Sequence, residues 1–420
     1  MLAVALAAVA ACGGGTASSG VLTADVARVM PGPDAPVDEV VAGLEAFGLR
    51  AEAMLAAEGG DGAGNTVLSP ASIGIAFAMA QGGARGDTEQ RIAEVFGFPA
   101  QPGLHEAMNE LTAQLDAVAG RGEGEAGSDG DEVVLDLADA VWLQRDFPFE
   151  DAYLDLLGRH YGAGLHTADF RSDPEAGRRA INAWVEDATR ERIPELVPSG
   201  VITPDTRAAL VNAIYLKAAW QEAFDEAATA DADFHLADGT TVQVPMMHAP
   251  ALDATAADGD GYVAVEVPYA GGELAMLVIV PDEGTDLDEL RGRLGDTALA
   301  DVARTLRPAL VDLSLPRWET GAALDLGPVL TALGLPVPGG DLSGIGPDLS
   351  IGAAVHAADI TVDESGTEAA AATAVIVEET AAPVVPDAVV VRADRPFLFA
   401  IRHTGTGAPL FVGRVADPRG

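Results

Sequence analysis

The chain has one cysteine, Cys12, which rules out an internal disulfide, a thiol pair and a cysteine-based metal site. It has one lysine, Lys217, and 24 basic residues in all against 65 acidic ones, a formal net charge of −41. A field of that sign repels phosphate backbones and anionic lipid headgroups, which argues against nucleic-acid binding. Solubility in a salty, screening medium explains the charge better than a dedicated cationic partner does. Catalytic signatures are missing too: there is no G-x-S-x-G elbow, no H-E-x-x-H, no P-loop and no dinucleotide fingerprint. His105, His160, His166, His235, His248, His356 and His403 stand singly, as structural histidines do, so no enzyme, cofactor or metal is expected. The acidic stretches 121–132 and 258–261 lack the spaced ligands and closing Glu of a calcium loop and read as solvent turns. No repeat of about 20–50 residues is present, which excludes a solenoid. Long apolar runs are absent as well; residues 1–11, MLAVALAAVAA, are too short to span a bilayer.

What is present suits a large globular fold, with 420 residues of which 49% are hydrophobic. After the Pro-rich joint MPGPDAP, residues 37–58 carry Val40, Val41, Leu44, Phe47 and Leu49 at helical spacing. Ser69-Pro70 marks a second helix start, Gly82-Gly83 a break, and Asp87 caps the next helix. From residue 208 onward strands dominate, over 210–216, 242–245, 262–267, 274–280, 309–315, 389–391, 397–402 and 410–415, with helices over 286–306 and 326–333. Helices first and strands later, without βαβ alternation, predicts an α+β protein with large, mostly antiparallel sheets.

The apolar start has the length of a secretion-signal core, though without a basic region before it. Val9-Ala10-Ala11-Cys12 is similar to the lipobox of bacterial and archaeal lipoproteins, in which the Cys is lipidated and becomes the new N-terminus. This reading divides the chain into a signal peptide (1–11), a tether (12–36, with GGGTASSG at 13–20) and one domain (37–420), exported and held at the cell envelope or released outside the cell.

Residues 363–379, DESGTEAAAATAVIVEE, join a helix-favouring alanine run to the strand-favouring Thr373-Ala374-Val375-Ile376-Val377. The stretch resembles the reactive-loop hinge of the serpins. So do NTVLSPASIGIAFAMAQGGARGDTEQRIAEVFGF (65–98), LVNAIYLKAAW (210–220), VPMM (244–247), VHAADITVDESGTEAAAA (355–372), RPFLF (395–399) and PLFVGRVADP (409–418), all collinear. The resemblance implies the serpin fold, with about eight or nine helices and an exposed reactive-centre loop over about 364–395. It also implies a monomer that inhibits serine endopeptidases as a suicide substrate: the loop is cut, an acyl-enzyme forms, and the cut loop inserts as a strand in the central sheet. Hinge residues are then Glu364, Gly366, Thr367, Glu368, Ala369, Ala370, Ala371, Ala372 and Thr373. Gly366 supplies backbone freedom, and small or β-branched residues alternate so that a strand can slide in without a clash. Counting as the family counts from Glu364 places the scissile bond between Thr380 and Ala381, with Val377, Ala381 and Ala382 as alternative registers. A small uncharged Thr suits an elastase-like or subtilisin-like pocket and offers a trypsin-like one no cation. Ser69, Ser72, Asn212 and His356 resemble the polar cluster under the parting strands, and Trp220 the aromatic plug above the opening. A non-inhibitory serpin acting as a binding or structural surface protein is the alternative; such relatives often carry bulky, charged or proline residues between 367 and 373.

Overall fold

Val40, Val41, Leu44, Phe47 and Leu49 all become buried on α1 (Val37–Glu58) in the computed structural model, as their spacing predicts. The structure describes residues 20–22, 26–32, 34–58, 64–120, 133–162, 165–367 and 388–420. Strand β1 (Gly20–Leu22) precedes α1, and β2 (Thr66–Leu68) runs into α2 (Pro70–Gly83). Ser69 caps α2 by accepting the Ser72 N–H, and Pro70 opens its first turn. Every α2 residue except Gly82 is buried, so it serves as a central pillar with no polar face. Then come α3 (Asp87–Phe96), α4 (Gly103–Gly120), β3 (Val134–Gln144), α5 (Asp151–Tyr161), β4 (Leu165–Ala168), α6 (Pro174–Ala188) and β5 (Ala208–Ala219). A run of strands follows: β6 (Ala230–His235), β7 (Thr241–Gly259), β8 (Tyr262–Pro268) and β9 (Leu274–Pro281). Helices α7 (Leu287–Leu294) and α8 (Ala298–Thr305) lead to β10 (Arg307–Pro316), β11 (Trp318–Asp325) and α9 (Gly327–Ala332). The chain closes with β12 (Ala354–Val362), β13 (Gly366–Thr367), β14 (Val389–Arg392), β15 (Phe397–His403) and β16 (Pro409–Val415).

Two sheets organise these elements, which makes the fold α+β. The first has seven strands in the order β1-β4-β3-β5-β13-β12-β11; the second runs β14-β10-β7-β8-β9-β15-β16-β2, with β6 paired to β7. Pairing is mostly antiparallel, but β3 and β4 are parallel and joined through α5. One βαβ crossover therefore exists where the sequence predicted none. The helix expected over 286–306 is divided at Gly295, whose φ of 74° interrupts the α ladder.

Inward residues of β5 and β12, among them Leu210, Ile214, Ala354 and Ala358, belong to the main core. Outward ones, Val211, Ala213, Val355 and Ala357, pack under Ile181 and Val185 of α6. Part of the stretch expected as a tether is docked on this body. Residues 20–22 pair with β4, and Arg28 donates through Nε to Asn109 Oδ1 of α4 at 2.7 Å. Among the described residues no helix is long and apolar enough to cross a membrane, and no group of three or more His, Cys, Asp or Glu could hold a metal.

Candidate functional site

The two central strands of the first sheet are joined at one end and parted at the other. β5 and β12 pair in parallel from Leu210 with Ala354 to Ile214 with Ala358. Beyond that point the short strand β13 lies between them, with Gly366 opposite Ala219, Thr367 opposite Ala218, and Val362 of β12 opposite Thr367. Residues 215–217 of β5 and 359–361 of β12 have no pairing with each other, so among the described residues one strand lane is filled only at its mouth.

Each side chain at the mouth is held for a physical reason. Gly366 has a φ of 153°, and a Cβ there would lie 2.1 Å from the Ala218 carbonyl oxygen, so only glycine fits. The buried Thr367 hydroxyl meets the Tyr269 hydroxyl at 2.5 Å, and burial pushes that phenol's pKa up. Tyr269 stacks on Trp220 with centroids 4.5 Å apart, and Trp220 donates through Nε1 to the Asp363 carbonyl at 2.9 Å. The Trp220 and Phe224 N–H groups donate to the Ser365 and Glu364 carbonyls, both at 2.9 Å. Glu364 is buried against Arg317, which approaches its carboxylate to 2.6 Å, and it also accepts from the Thr229 hydroxyl. Burial opposes ionisation of Glu364, but the Arg317 and Thr229 hydrogen bonds together hold its carboxyl below the ordinary value.

A polar row crosses the closed end beneath the sheet. Asn212 stands opposite His356 in the parallel pairing and opposite Asp139 of β3 in the antiparallel one. His356 Nε2 accepts the Ser69 N–H at 3.0 Å, which assigns the ring proton to Nδ1, donated to Asn212 Oδ1 at 2.5 Å. Burial lowers the His356 pKa to about 3, so the ring is neutral at ordinary pH. The Ser72 hydroxyl donates to Asp139 Oδ1 at 2.9 Å. Burial pushes the Asp139 carboxyl well above its usual value, against the Ser72 bond that favours its charge.

The structure thus brings Ser69, Ser72, Asn212 and His356 together at one end of the lane, and Trp220, Glu364, Gly366 and Thr367 at the other. Glu368, Ala369, Ala370, Ala371, Ala372 and Thr373 lie outside the described residues, as do Thr380, Ala381 and Cys12. Asp139, Arg317, Thr229 and Tyr269 were not singled out from the sequence. Asp139 had a signal: in LDLADAVWL the alternating series Leu135, Leu137, Val141 and Leu143 is broken by one acid.

Comparison with known proteins agrees with this geometry. A family model described as Serpin (serine protease inhibitor) matches residues 42–418. The chain is 35% identical to the leukocyte elastase inhibitor of Sus scrofa over 373 residues, covering 85% of this chain and 94% of that one. It is 34% identical over 362 residues to an uncharacterized serpin-like protein of Thermococcus kodakarensis, covering 84% and 81%. An Arabidopsis serpin solved in its native stressed conformation superposes with a TM-score of 0.77 at 27% identity, covering 91% of this chain and 98% of that one. The chain belongs to the serpin family, whose members are in the main protease inhibitors rather than enzymes.

Proposed function

We propose that this serpin inhibits serine proteases as a suicide substrate, with the lane between β5 and β12 as the acceptor for its own cut loop. The observation that carries the reading is the seating of Gly366 and Thr367 at the mouth of that lane. On this reading an inserted strand that continued both registers would bring Thr373 opposite Asn212 on one side and opposite His356 on the other. Alternation then turns Thr367, Ala369, Ala371 and Thr373 toward the core, where small and β-branched side chains fit beneath the sheet.

In the reaction the protease serine oxygen bonds to the carbonyl carbon of Thr380, and the Ala381 amine leaves with the distal part of the loop. Insertion of some fifteen residues at about 3.3 Å each carries the acylated protease about 50 Å before water can release it. Thr380 favours an elastase-like or subtilisin-like target, in keeping with the elastase inhibitors among the relatives. Export and lipidation of Cys12 belong to the same proposal, resting on Val9-Ala10-Ala11-Cys12, and would tether the inhibitor to the cell envelope.

The test mixes the purified protein with elastase-like, subtilisin-like, chymotrypsin-like and trypsin-like proteases, followed by denaturing gels and intact mass. A stable adduct of protease with the chain ending at Thr380 is expected. Cleavage without an adduct for every protease sinks the inhibitory reading and favours a binding or structural role. Mass spectrometry of the native N-terminus tests the anchor, and an unmodified chain beginning beyond Cys12 removes it.

A further inference from the structure

At the closed end of the lane, on the face that carries α6, the ends of three strands frame a cleft of about 410 Å³. Each strand brings an arginine to it: Arg145 follows β3, Arg171 lies just past β4, and Arg207 precedes β5. The buried Gln144 ties the three together. Its N–H donates to the Arg207 carbonyl at 2.9 Å, its Nε2 donates to the Arg145 carbonyl at 3.0 Å, and its Oε1 accepts the Arg171 N–H at 2.8 Å. Asp146, Asp169 and Asp348 share the cleft, so acids and bases balance there on a chain that has 65 acids to 24 bases. Asp169 is engaged by the Ser172 N–H and by Gln144 Nε2, at 3.0 and 3.3 Å. Arg207 turns Nη1 to the Pro204 and Thr206 carbonyls at 2.8 and 3.0 Å, and it has no carboxylate partner among the described residues.

The pairs at the mouth indicate what an inserted strand would bring to this cleft. Continued inward, the register of Gly366 with Ala219 and Thr367 with Ala218 would set Val377 opposite Ala208 and Glu378 opposite Arg207. Directly opposed residues of an antiparallel pair share a face, with Cβ atoms about 5 Å apart. Arg207 continues the series of Val211 and Ala209, which packs under α6, so Glu378 would meet it on the face where the cleft opens. Glu378 and Glu379 are the only charged residues between Glu368 and Asp387, and they immediately precede Thr380, the residue that would carry the acyl bond. Carboxylates brought against a domain of this charge are repelled unless cations receive them, and the cleft supplies three.

We propose that this arginine cleft is the seat of Glu378 in the inserted loop, with Arg207 as its direct partner, and that the seat locks the loop at full travel. This rests on the strand-insertion reading of the preceding section. Arg207 is then a positioning residue: it would touch the loop and not the protease, and it would act on the acyl bond by fixing Thr380 at the far pole of the domain. Arg145 and Arg171, on the other side of Gln144, offset the repulsion from Asp146 and Asp348. Because Glu378 would reach Arg207 only as the last residues enter, the ion pair would be absent before cleavage and during most of the travel. Its attraction opposes the backward slip through which a distorted protease recovers and hydrolyses its bond to the loop.

The experiment is a double-mutant cycle on the whole chain, with Arg207→Gln, Glu378→Gln, their combination, and the exchanged pair Arg207→Glu with Glu378→Arg. Two quantities are read: the rate at which the protease adduct releases active protease, and the melting temperature before and after the loop is cut. Each single variant should release protease about threefold faster than the parent and lower the melting temperature of the cut form by about 1 °C. The combination should be no worse than either, and the exchanged pair should restore both readings. Arg207 also bonds two carbonyls of its own loop, so Arg207→Gln can weaken the fold by itself; Glu378→Gln leaves those bonds in place and should melt like the parent before cleavage. Additive effects, a Glu378→Gln protein that matches the parent after cleavage, or an intact mass showing the loop cut before Glu378 overturns the seat. A parent protein that gains no heat resistance on cleavage shows instead that insertion does not occur, a separate result that removes the reading on which the seat depends.

Discussion

The lone lysine allows a sharp test of strand register. Under the proposed insertion, the two pairs already formed between β13 and β5, continued by one residue, would bring Glu368 opposite Lys217. Directly opposed residues of an antiparallel pair share a face with Cβ atoms about 5 Å apart, close enough for an ion pair. Lys217 projects from the outer face, because its even-numbered neighbours Leu216 and Ala218 lie in the core. In the uncut protein it has no ion-pair partner among the described residues. The attraction is therefore made only in the inserted state, and it lowers the energy of the product without stabilising the start.

Its size follows from exposure. A cross-strand pair of opposite charges contributes roughly 0.2–1 kcal/mol, and solvent at the half-buried Lys217 keeps the value in that range. Glu319, which lies in the same cross-strand row beyond Thr361, repels the incoming carboxylate and trims it further. Lys217→Glu turns the attraction into repulsion, a swing of about 1 kcal/mol and a factor of about five in an equilibrium or a rate. The assay compares melting of cut and uncut protein together with the ratio of trapped to cleaved inhibitor. Lys217→Glu should leave the uncut form unchanged, lower the melting temperature of the cut form by about 1 °C and raise the cleaved fraction. The exchanged pair Lys217→Glu with Glu368→Lys should restore both. If Lys217→Glu leaves the cut form unaffected, or the exchanged pair fails to restore it, the register continued from β13 is wrong.

Three further outcomes are expected. Gly366→Ala, whose Cβ would meet the Ala218 carbonyl oxygen at 2.1 Å, should unseat β13 at a cost of about 1–3 kcal/mol and favour substrate turnover over trapping, read from the stoichiometry of inhibition. Tyr269→Phe removes the hydroxyl facing Thr367 and should destabilise the uncut protein by about 1 kcal/mol in chemical denaturation. His356, lowered from 6.5 to about 3, contributes stability that is complete above about pH 6.5 and is lost as pH falls toward 3. A His356→Gln protein should be less stable at neutral pH and show a flatter melting profile across that window, and an unchanged slope would place the acid sensitivity elsewhere.

Local features of the chain were legible where one residue pattern answers to one physical cause. The stripe of Val40, Leu44 and Phe47 predicts α1, and Ser69-Pro70 and Gly82-Gly83 delimit α2 although its uniformly buried surface carries no amphipathic signal. Strand β4 was missed because it has four residues, of which only Leu165 and Ala168 are buried, too short a run for period-2 alternation to register. Without β4, the β3–α5–β4 crossover could not be read either. The alanines of the expected hinge lie outside the described residues, and the lane that would receive them depends on β5 and β12, which lie more than a hundred residues apart in sequence and pair over only half their length. Such a gap is a property of non-local register and has no local residue signature.

Both ends of that lane carry buried polar groups, and the Trp220 to Asp363 and Asn212 to His356 bonds cross the gap. At the mouth, Trp220 and Arg317 hold residues 363–365 through bonds to Asp363 and Glu364. At the closed end, Asn212 and His356 hold each other, with Asp139 and Ser72 beside them. A fully apolar lane would close along its whole length, since continuous burial favours direct pairing of β5 with β12. With buried polar side chains at its end, opening has a definite cost in hydrogen bonds, and under the proposed insertion a strand could return it: Thr373 would arrive with a hydroxyl able to bond to Asn212 and His356 when they part. On the strand-insertion proposal, the closed sheet would thus persist in the uncut chain while a better-satisfied arrangement remained available to it, and cutting the loop would free the strand that reaches that arrangement.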